Sequence, residues 1–193
     1  MASLKGTETE KNLMKAFAGE SAARNRYTYY ASKAKKEGYE QVAFIFDETA
    51  NQEKEHAQRL FRLMEGASPE VQVTVQLPEG PEKDTHANLI DSAAGENHEH
   101  SHMYPEFAEV ARKEGFPEIA RVMEMIAVAE KAHEERYLAL AANIKDGKVF
   151  RKDTKVVWRC RNCGYTIESA SAPAKCPACD HAQAYFEIAA INW

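Results

Sequence analysis

A duplicated motif restricts the fold of this chain more than any other feature. Glu53-x-x-His56 and Glu130-x-x-His133 each begin fifteen residues after a glycine, Gly38 and Gly115. Those glycines sit in matching tetrads, Lys36-Glu37-Gly38-Tyr39 and Lys113-Glu114-Gly115-Phe116. Further upstream, Ala18-Gly19-Glu20 matches Ala94-Gly95-Glu96. The tetrads and the tyrosines Tyr27 and Tyr104 align at an offset of 77, but the Gly-Glu pairs align at 76. The pattern predicts two similar helical hairpins, with one extra residue between Glu96 and Tyr104. A helix absorbs one extra residue as a π-bulge, a feature common at functional sites.

The periodicity fits this reading. Thr7 with Glu10 has capping-box spacing, and Leu13, Phe17, Glu20, Arg24, Tyr27 and Ala31 recur at helical intervals. Val42, Phe46, Thr49, Glu53, His56, Leu60 and Met64 form a second run, closed by Gly66. Residues 67–85 hold three prolines and an alternation of Val71, Val73, Val75 and Leu77, which predicts a long crossover with some extended structure. Helix three is expected from Thr85 to Glu114. Helix four should open on Pro117, a residue suited to a first helical turn, and end near Asp146 before Gly147.

Each predicted helix carries one glutamate on its apolar face: Glu20, Glu53, Glu96 and Glu130. An unpaired buried carboxylate costs several kcal/mol or takes up a proton. Four converging carboxylates need strong positive charge between them, and Arg24 and Arg26 are too few and too local to supply it. Two metal ions would. Residues three apart share a helix face, so each Glu-x-x-His pair aims two ligands at one centre. One glutamate from each of two helices, with Glu-x-x-His from the other two, is the general pattern of ferritin-like di-iron carboxylate bundles. Oxygen-rich ligation with imidazole suits iron or manganese, and zinc also fits such a site. Glu99 is a surplus carboxylate three residues after Glu96, able to let a metal change partners with oxidation state. Glu37, Glu65, Glu134 and Glu135 read as solvated. His98, His100 and His102 step by two and do not converge on a helix, with His100 the best placed to support a ligand from behind. Tyr27 and Tyr104 read either as core aromatics or as hydrogen-bond donors to ligand carboxylates or bound oxygen species.

All four cysteines lie between Cys160 and Cys179, as two CxxC knuckles, Cys160–Cys163 and Cys176–Cys179, with twelve residues between them. Four thiolates in a tetrahedron fit iron or zinc, and a structural zinc ribbon is the competing reading. About forty residues do not hold a stable core without such a metal. Trp158, Tyr165, Tyr185, Phe186 and Trp193 are the candidate core aromatics. The predicted organisation is a bundle over 1–146, a polar linker over 147–154 and a cysteine domain over 155–193.

The crowded cysteines and the absence of a secretory apolar stretch after Met1 point to a reducing, cytoplasmic compartment. The net charge of −5 over 193 residues, with no Lys/Arg block, disfavours nucleic-acid and anionic-membrane partners. No apolar run approaches a membrane span.

Taken together, Glu20, Glu53-x-x-His56, Glu96-x-x-Glu99, Glu130-x-x-His133, Cys160-x-x-Cys163-Gly164-Tyr165 and Cys176-Pro177-x-Cys179 resemble the rubrerythrin family across both predicted domains. The resemblance implies a mainly α protein: a ferritin-like four-helix bundle with a long crossover, plus a small rubredoxin-like β/loop domain. It implies two non-haem iron ions in the bundle and one iron in the four-cysteine site. It implies Glu53 and Glu130 as bridging carboxylates, Glu96 and His133 on one iron, and Glu20 on the other. Glu20 would be joined by His56 in the reduced state and by Glu99 in the oxidised state. The implied activity is reduction of hydrogen peroxide to water in oxidative stress defence. The implied partners are a second copy in a homodimer and, as electron donor, an NAD(P)H-dependent reductase or small redox protein. Nigerythrin-type relatives are not separated from rubrerythrins on these residues. The competing function is ferritin-like iron handling, which shares the helical site but does not need the cysteine domain.

Overall fold

The structure, a computed structural model, describes residues 3–77 and 83–190. Four long helical rods form an antiparallel bundle. They are α1 (Glu8–Lys36), α2 (Glu40–Leu63), a third rod of α3 (Thr85–His98) and α4 (Tyr104–Lys113) joined by a π-helical turn over Glu99–Met103, and α5 (Pro117–Lys145). The extra residue in the second half thus appears as the expected π segment. Its i→i+5 hydrogen bonds widen the helix without breaking it. α5 opens on Pro117 at its first turn. Gly38 and Gly115 carry φ of 84° and 88°, the left-handed conformation a chain needs to leave one helix and start the next at once.

The two hairpins cap one another. Glu114, after α4, accepts from Glu8 N (3.0 Å), Thr9 N (2.7 Å) and Thr9 Oγ1 (2.6 Å) at the start of α1. Glu37, after α1, accepts from Thr85 N (2.9 Å) and Thr85 Oγ1 (2.6 Å) at the start of α3. Glu37 is therefore not a purely solvated charge, as the sequence suggested; it satisfies helix N-terminal donors that have no intrahelical partner. The Thr7 box is half-formed. Thr7 Oγ1 accepts from Glu10 N (3.1 Å), but Thr7 N already donates to Leu4 O (3.2 Å). Glu10 turns instead to Gly6 N (2.8 Å) and to Ser68 N, tying α1 to the segment after α2.

The apolar interior is two clusters related by the internal duplication. One contains Tyr27, Phe46, Leu89 and Tyr137; the other contains their counterparts Tyr104, Met123, Leu13 and Leu60. Each fully buried side chain of this size contributes about 1.5–3 kcal/mol. In the crossover, Val71, Val73 and Val75 are half-buried and alternate with exposed Gln72, Thr74 and Gln76, but no strand pairs with them among the described residues. The alternation is real, yet without a neighbouring strand it makes no sheet. The crossover prolines Pro78 and Pro81 lie outside the described residues, as do Met1 and Trp193.

The C-terminal part is a three-stranded antiparallel sheet in the order β2-β1-β3, from β1 (Arg151–Cys160), β2 (Thr166–Ser171) and β3 (Phe186–Ile188). β1 begins within the stretch that read as linker. The sheet's core holds Trp158, Cys160, Cys176 and Phe186, with Tyr165 and Tyr185 packed on it. The domain rests on the α1–α2 hairpin. Phe150 stacks on Tyr39 (centroids 6.4 Å apart), the Ala184 methyl lies where a side chain on Gly38 would reach it, and the Arg161 guanidinium lies 4.2 Å from the Phe44 ring centroid.

Candidate metal centres

Glu20, Glu53, Glu96 and Glu130 are each no more than 1 % exposed and converge between the two apolar clusters. The imidazoles complete two overlapping groups. Glu20, Glu53, His56 and Glu130 offer ligand atoms all within 4.8 Å of one another, and so do Glu53, Glu96, Glu130 and His133. Glu53 and Glu130 belong to both. His56 Nδ1 lies 2.9 Å from Glu53 Oε2, 2.9 Å from Glu130 Oε1 and 3.7 Å from Glu20 Oε2. His133 Nδ1 lies 3.1 Å from Glu53 Oε1, 2.8 Å from Glu130 Oε2 and 3.8 Å from Glu96 Oε2. The near-equality of the two sets is the duplication expressed in geometry.

The tyrosines act across the hairpins. Tyr27 OH donates to Glu96 Oε1, and Tyr104 OH donates to Glu20 Oε1. Each outer carboxylate is thereby held by one oxygen, leaving Oε2 inward. Glu20 Oε2, Glu53 Oε1, Glu96 Oε2, both Glu130 oxygens and His133 Nδ1 are buried and, although carboxylate oxygens and imidazole nitrogens crowd one another, none of them is aligned in a hydrogen bond. Orphaned anionic oxygens facing imidazole nitrogens are a donor set made for cations, and two metal ions fit it.

The electrostatics show the cost of this site without a cation. Burial, with the charge of Glu53, pushes Glu20 up to about 7 despite His56 and Tyr104. Burial likewise raises Glu96, with Glu130 adding to it. Glu99 stands well above the carboxylate range, through burial first and then the charge of Glu20. Burial lowers both imidazoles, but the carboxylates outweigh it: His56 is raised by Glu130, Glu20 and Glu53, and His133 is pushed up to about 11. Tyr27 and Tyr104 are raised by burial and by the glutamates, so both keep their protons to donate.

Glu99, on the π turn, stands beside this cluster but in neither four-residue group. It lines a cavity between α1 and the third rod with His98, His102 and Met103. His100 does not back a ligand. Its Nε2 lies 2.6 Å from Glu134 Oε2, and Asn97 Nδ2 donates to Glu134 Oε1 (3.0 Å). Glu134 is correspondingly a paired group rather than a solvated one, because the widened π turn swings His100 toward α5. His98 and His102 stack on each other, 5.7 Å between centroids. The sequence reading passed over Gln52, whose Oε1 lies 3.0 Å from His133 Nε2, and Arg136, which donates to it (3.3 Å). Arg136 lies three residues after His133, a same-face spacing that could have flagged it.

In the small domain the four Sγ atoms lie within 4.8 Å of one another, with Cys160–Cys179 at 3.8 Å and Cys163–Cys176 at 3.6 Å. A tetrahedron with metal–sulfur bonds of about 2.3 Å has edges of roughly 3.8 Å, so the cage fits one ion. The knuckles repeat one another. Cys160 O accepts from Gly164 N and Cys176 O from Asp180 N, each at 2.9 Å. Gly164 and Asp180 both take positive φ, 80° and 60°. A backbone contact from His181 lowers Cys179 to about 6, whereas Cys163, despite a backbone contact from Tyr165, is pushed up to about 12 by the neighbouring thiols, so the cage without a cation keeps protons that a metal would displace.

Comparison with known proteins agrees with both centres. The family model described as Rubrerythrin matches residues 11–141, and that described as Rubrerythrin, rubredoxin-like domain matches 158–187. The rubrerythrin of Nitratidesulfovibrio vulgaris is 56% identical over 193 residues, 100% of both chains. That of Porphyromonas gingivalis is 55% identical over 99% of this chain and 94% of its own. A solved structure of nigerythrin in a mixed-valence state superposes with a TM-score of 0.64 at 34% identity, covering 95% of this chain and 87% of that one. The fold is ferritin-like with a C-terminal rubredoxin-like domain, and its cofactors are two iron ions at the Glu/His cluster and one iron at the four cysteines. With its helical donor set, its cysteine cage and relatives matching from end to end, this chain belongs to the rubrerythrin family.

Proposed function

We propose that this chain is a cytoplasmic peroxide reductase that converts hydrogen peroxide to water in defence against oxidative stress. The observation that carries the reading is the pair of overlapping ligand groups sharing Glu53 and Glu130, with Glu99 in reserve beside them. Glu20, Glu53, His56, Glu96, Glu130 and His133 would hold the two ions, and Cys160, Cys163, Cys176 and Cys179 the third. The paired irons supply two electrons and Lewis acidity to a substrate whose reduction needs two electrons and two protons. Tyr27 and Tyr104 fix one oxygen of Glu96 and of Glu20, so that the other oxygen stays aimed inward. With iron bound, His56 would be the Glu20-side ligand in the reduced state, and Glu99, the carboxylate in reserve beside it, would take that place in the oxidised state. The units are the bundle (1–146) and the cysteine domain, whose sheet starts at Arg151 and so takes in the end of the 147–154 stretch.

Loaded with iron, the four-cysteine cage would supply single-electron transfer from an NAD(P)H-dependent reductase or small redox protein. Within one chain the small domain touches Phe44, nine residues before Glu53 and so about 14 Å away along α2. A homodimer offers a second route, from the partner's cysteine centre. His56 and Met125 line a cavity of about 470 Å³ between α2 and α5 that gives a small molecule such as peroxide access to the site.

The test is to reduce the iron-loaded protein anaerobically and mix it with peroxide or with oxygen, following visible absorption. Peroxide should reoxidise the site far faster than oxygen does. Equal or faster oxidation by oxygen would make the chain an iron-handling ferroxidase instead. Glu99→Ala should slow peroxide turnover and spare the helical fold.

A further inference from the structure

The duplication makes the two imidazoles equivalent toward the carboxylates, but not on their outer edges. His133 Nε2 meets Gln52 Oε1 at 3.0 Å. The same oxygen accepts from Arg136 Nη2 at 3.3 Å, and Arg136 is itself seated on Glu48 (2.5 Å) and Thr49 (2.6 Å). A guanidinium only donates, so the amide presents its oxygen here and the imidazole must donate Nε2–H. The ring is then fixed with Nδ1 toward Glu53 and Glu130.

At the offset of 77 the counterparts are different. Ala129 stands for Gln52, Met125 for Glu48, Ile126 for Thr49 and Arg59 for Arg136. Arg59 lines a cavity with Met125 and Ile126, and with Glu118 and Arg121, but among the described residues it makes no hydrogen bond or ion pair. His56 shares a cavity wall with Ala129, whose methyl group cannot hydrogen-bond. No group among the described residues holds His56 Nε2. The His56 side chain is 16% exposed and that of His133 is 7%. The surplus carboxylate is also one-sided: at the offset of 76 the counterpart of Glu99 is Ala23.

We propose that Gln52, braced by Arg136, is the positioning residue that makes His133 the stationary imidazole, and that alanine at 129 is what leaves His56 free to withdraw from its ion. The duplicated site is thereby made directional. One ion keeps a tethered imidazole and no spare carboxylate; the other has a loose imidazole and Glu99. The second half of this statement rests on the His56-for-Glu99 exchange of the proposed function. The tether itself does not.

Two experiments on the full chain separate these. In the first, the chain is loaded with zinc, a closed-shell probe, and hydrogen exchange of the imidazole Nε2–H groups is followed by nitrogen-15 NMR. His133 Nε2–H should exchange roughly five- to tenfold more slowly than that of His56, the weight of one hydrogen bond. Gln52→Leu should remove the difference, and Gln52→Glu, which keeps an acceptor beside Arg136, should preserve it. Equal exchange at both rings in the wild type, or no change in Gln52→Leu, overturns the tether. In the second, iron-loaded Ala129→Gln is crystallised in the diferrous and diferric states. His56 should stay bound in both. Withdrawal of His56 as in the wild type overturns the role of Ala129. If the wild type itself keeps one ligand set in both states, the exchange in the proposed function fails, while the NMR result still judges Gln52.

Discussion

Removing the metal from the bundle should make its stability fall as pH rises, the reverse of ordinary acid denaturation. Glu20 is raised from an ordinary 4.5 to about 7 by burial and by Glu53. A carboxyl raised on folding keeps its proton in the native state while the unfolded chain releases it. The native state then binds more protons between these values, and stability drops across that window. At about 1.4 kcal/mol per decade, Glu20 alone costs ~3 kcal/mol. Glu96 and Glu99 are raised too and add in the same direction. The imidazoles do not reverse it. His133 is raised from 6.5 to about 11, so its stabilisation is complete below 6.5 and fades as pH climbs toward 11. Metal-loaded protein should behave oppositely, because its ligands must be ionised and protons compete with the metal. The assay is urea unfolding of the bundle, read by helical circular dichroism at about pH 5 and about pH 8, with and without metal in the carboxylate site. Metal-free protein should lose several kcal/mol between these conditions. A metal-free bundle as stable at the higher pH as at the lower would refute the convergence of buried, cation-starved carboxylates.

Glu130→Ala should deplete both bundle irons, since Glu130 belongs to both ligand groups, whereas Glu96→Ala should keep one; iron per chain after anaerobic reconstitution distinguishes them. Tyr104→Phe leaves Glu20 Oε1 unpartnered and should cost about 1–3 kcal/mol and slow peroxide turnover; unchanged urea midpoint and rate would deny the tyrosine its role. Glu114→Ala removes three hydrogen bonds from the start of α1 and should lower stability by about 1–2 kcal/mol. Burial opposes the Glu114 charge, but the bonds from Thr9 and Glu8 outweigh it and hold its pKa low. Its contribution is therefore present above the ordinary carboxylate pKa and lost as pH falls through the lowered value, a loss the variant should not show.

Local chemistry determines much of this protein without reference to its tertiary packing. Helical spacing put Glu20, Glu53, Glu96 and Glu130 on apolar faces, because burial follows a period the chain carries in itself. The duplication, off by one residue, announced the π turn at Glu99–Met103. Two CxxC knuckles announced a tetrahedral cage. Tertiary structure decided what depends on how rods are rotated and brought side by side. Tyr27 reaches Glu96 and Tyr104 reaches Glu20 across hairpins; Glu114 and Glu37 close the opposite hairpin's helix ends; His100 pairs with Glu134 instead of backing a ligand. None of these pairs is near in sequence, so no periodicity encodes them. The same holds for Gln52 against His133, the contact that breaks the symmetry of the site. A repeat specifies which residues correspond, but only packing reveals which of them have something to touch.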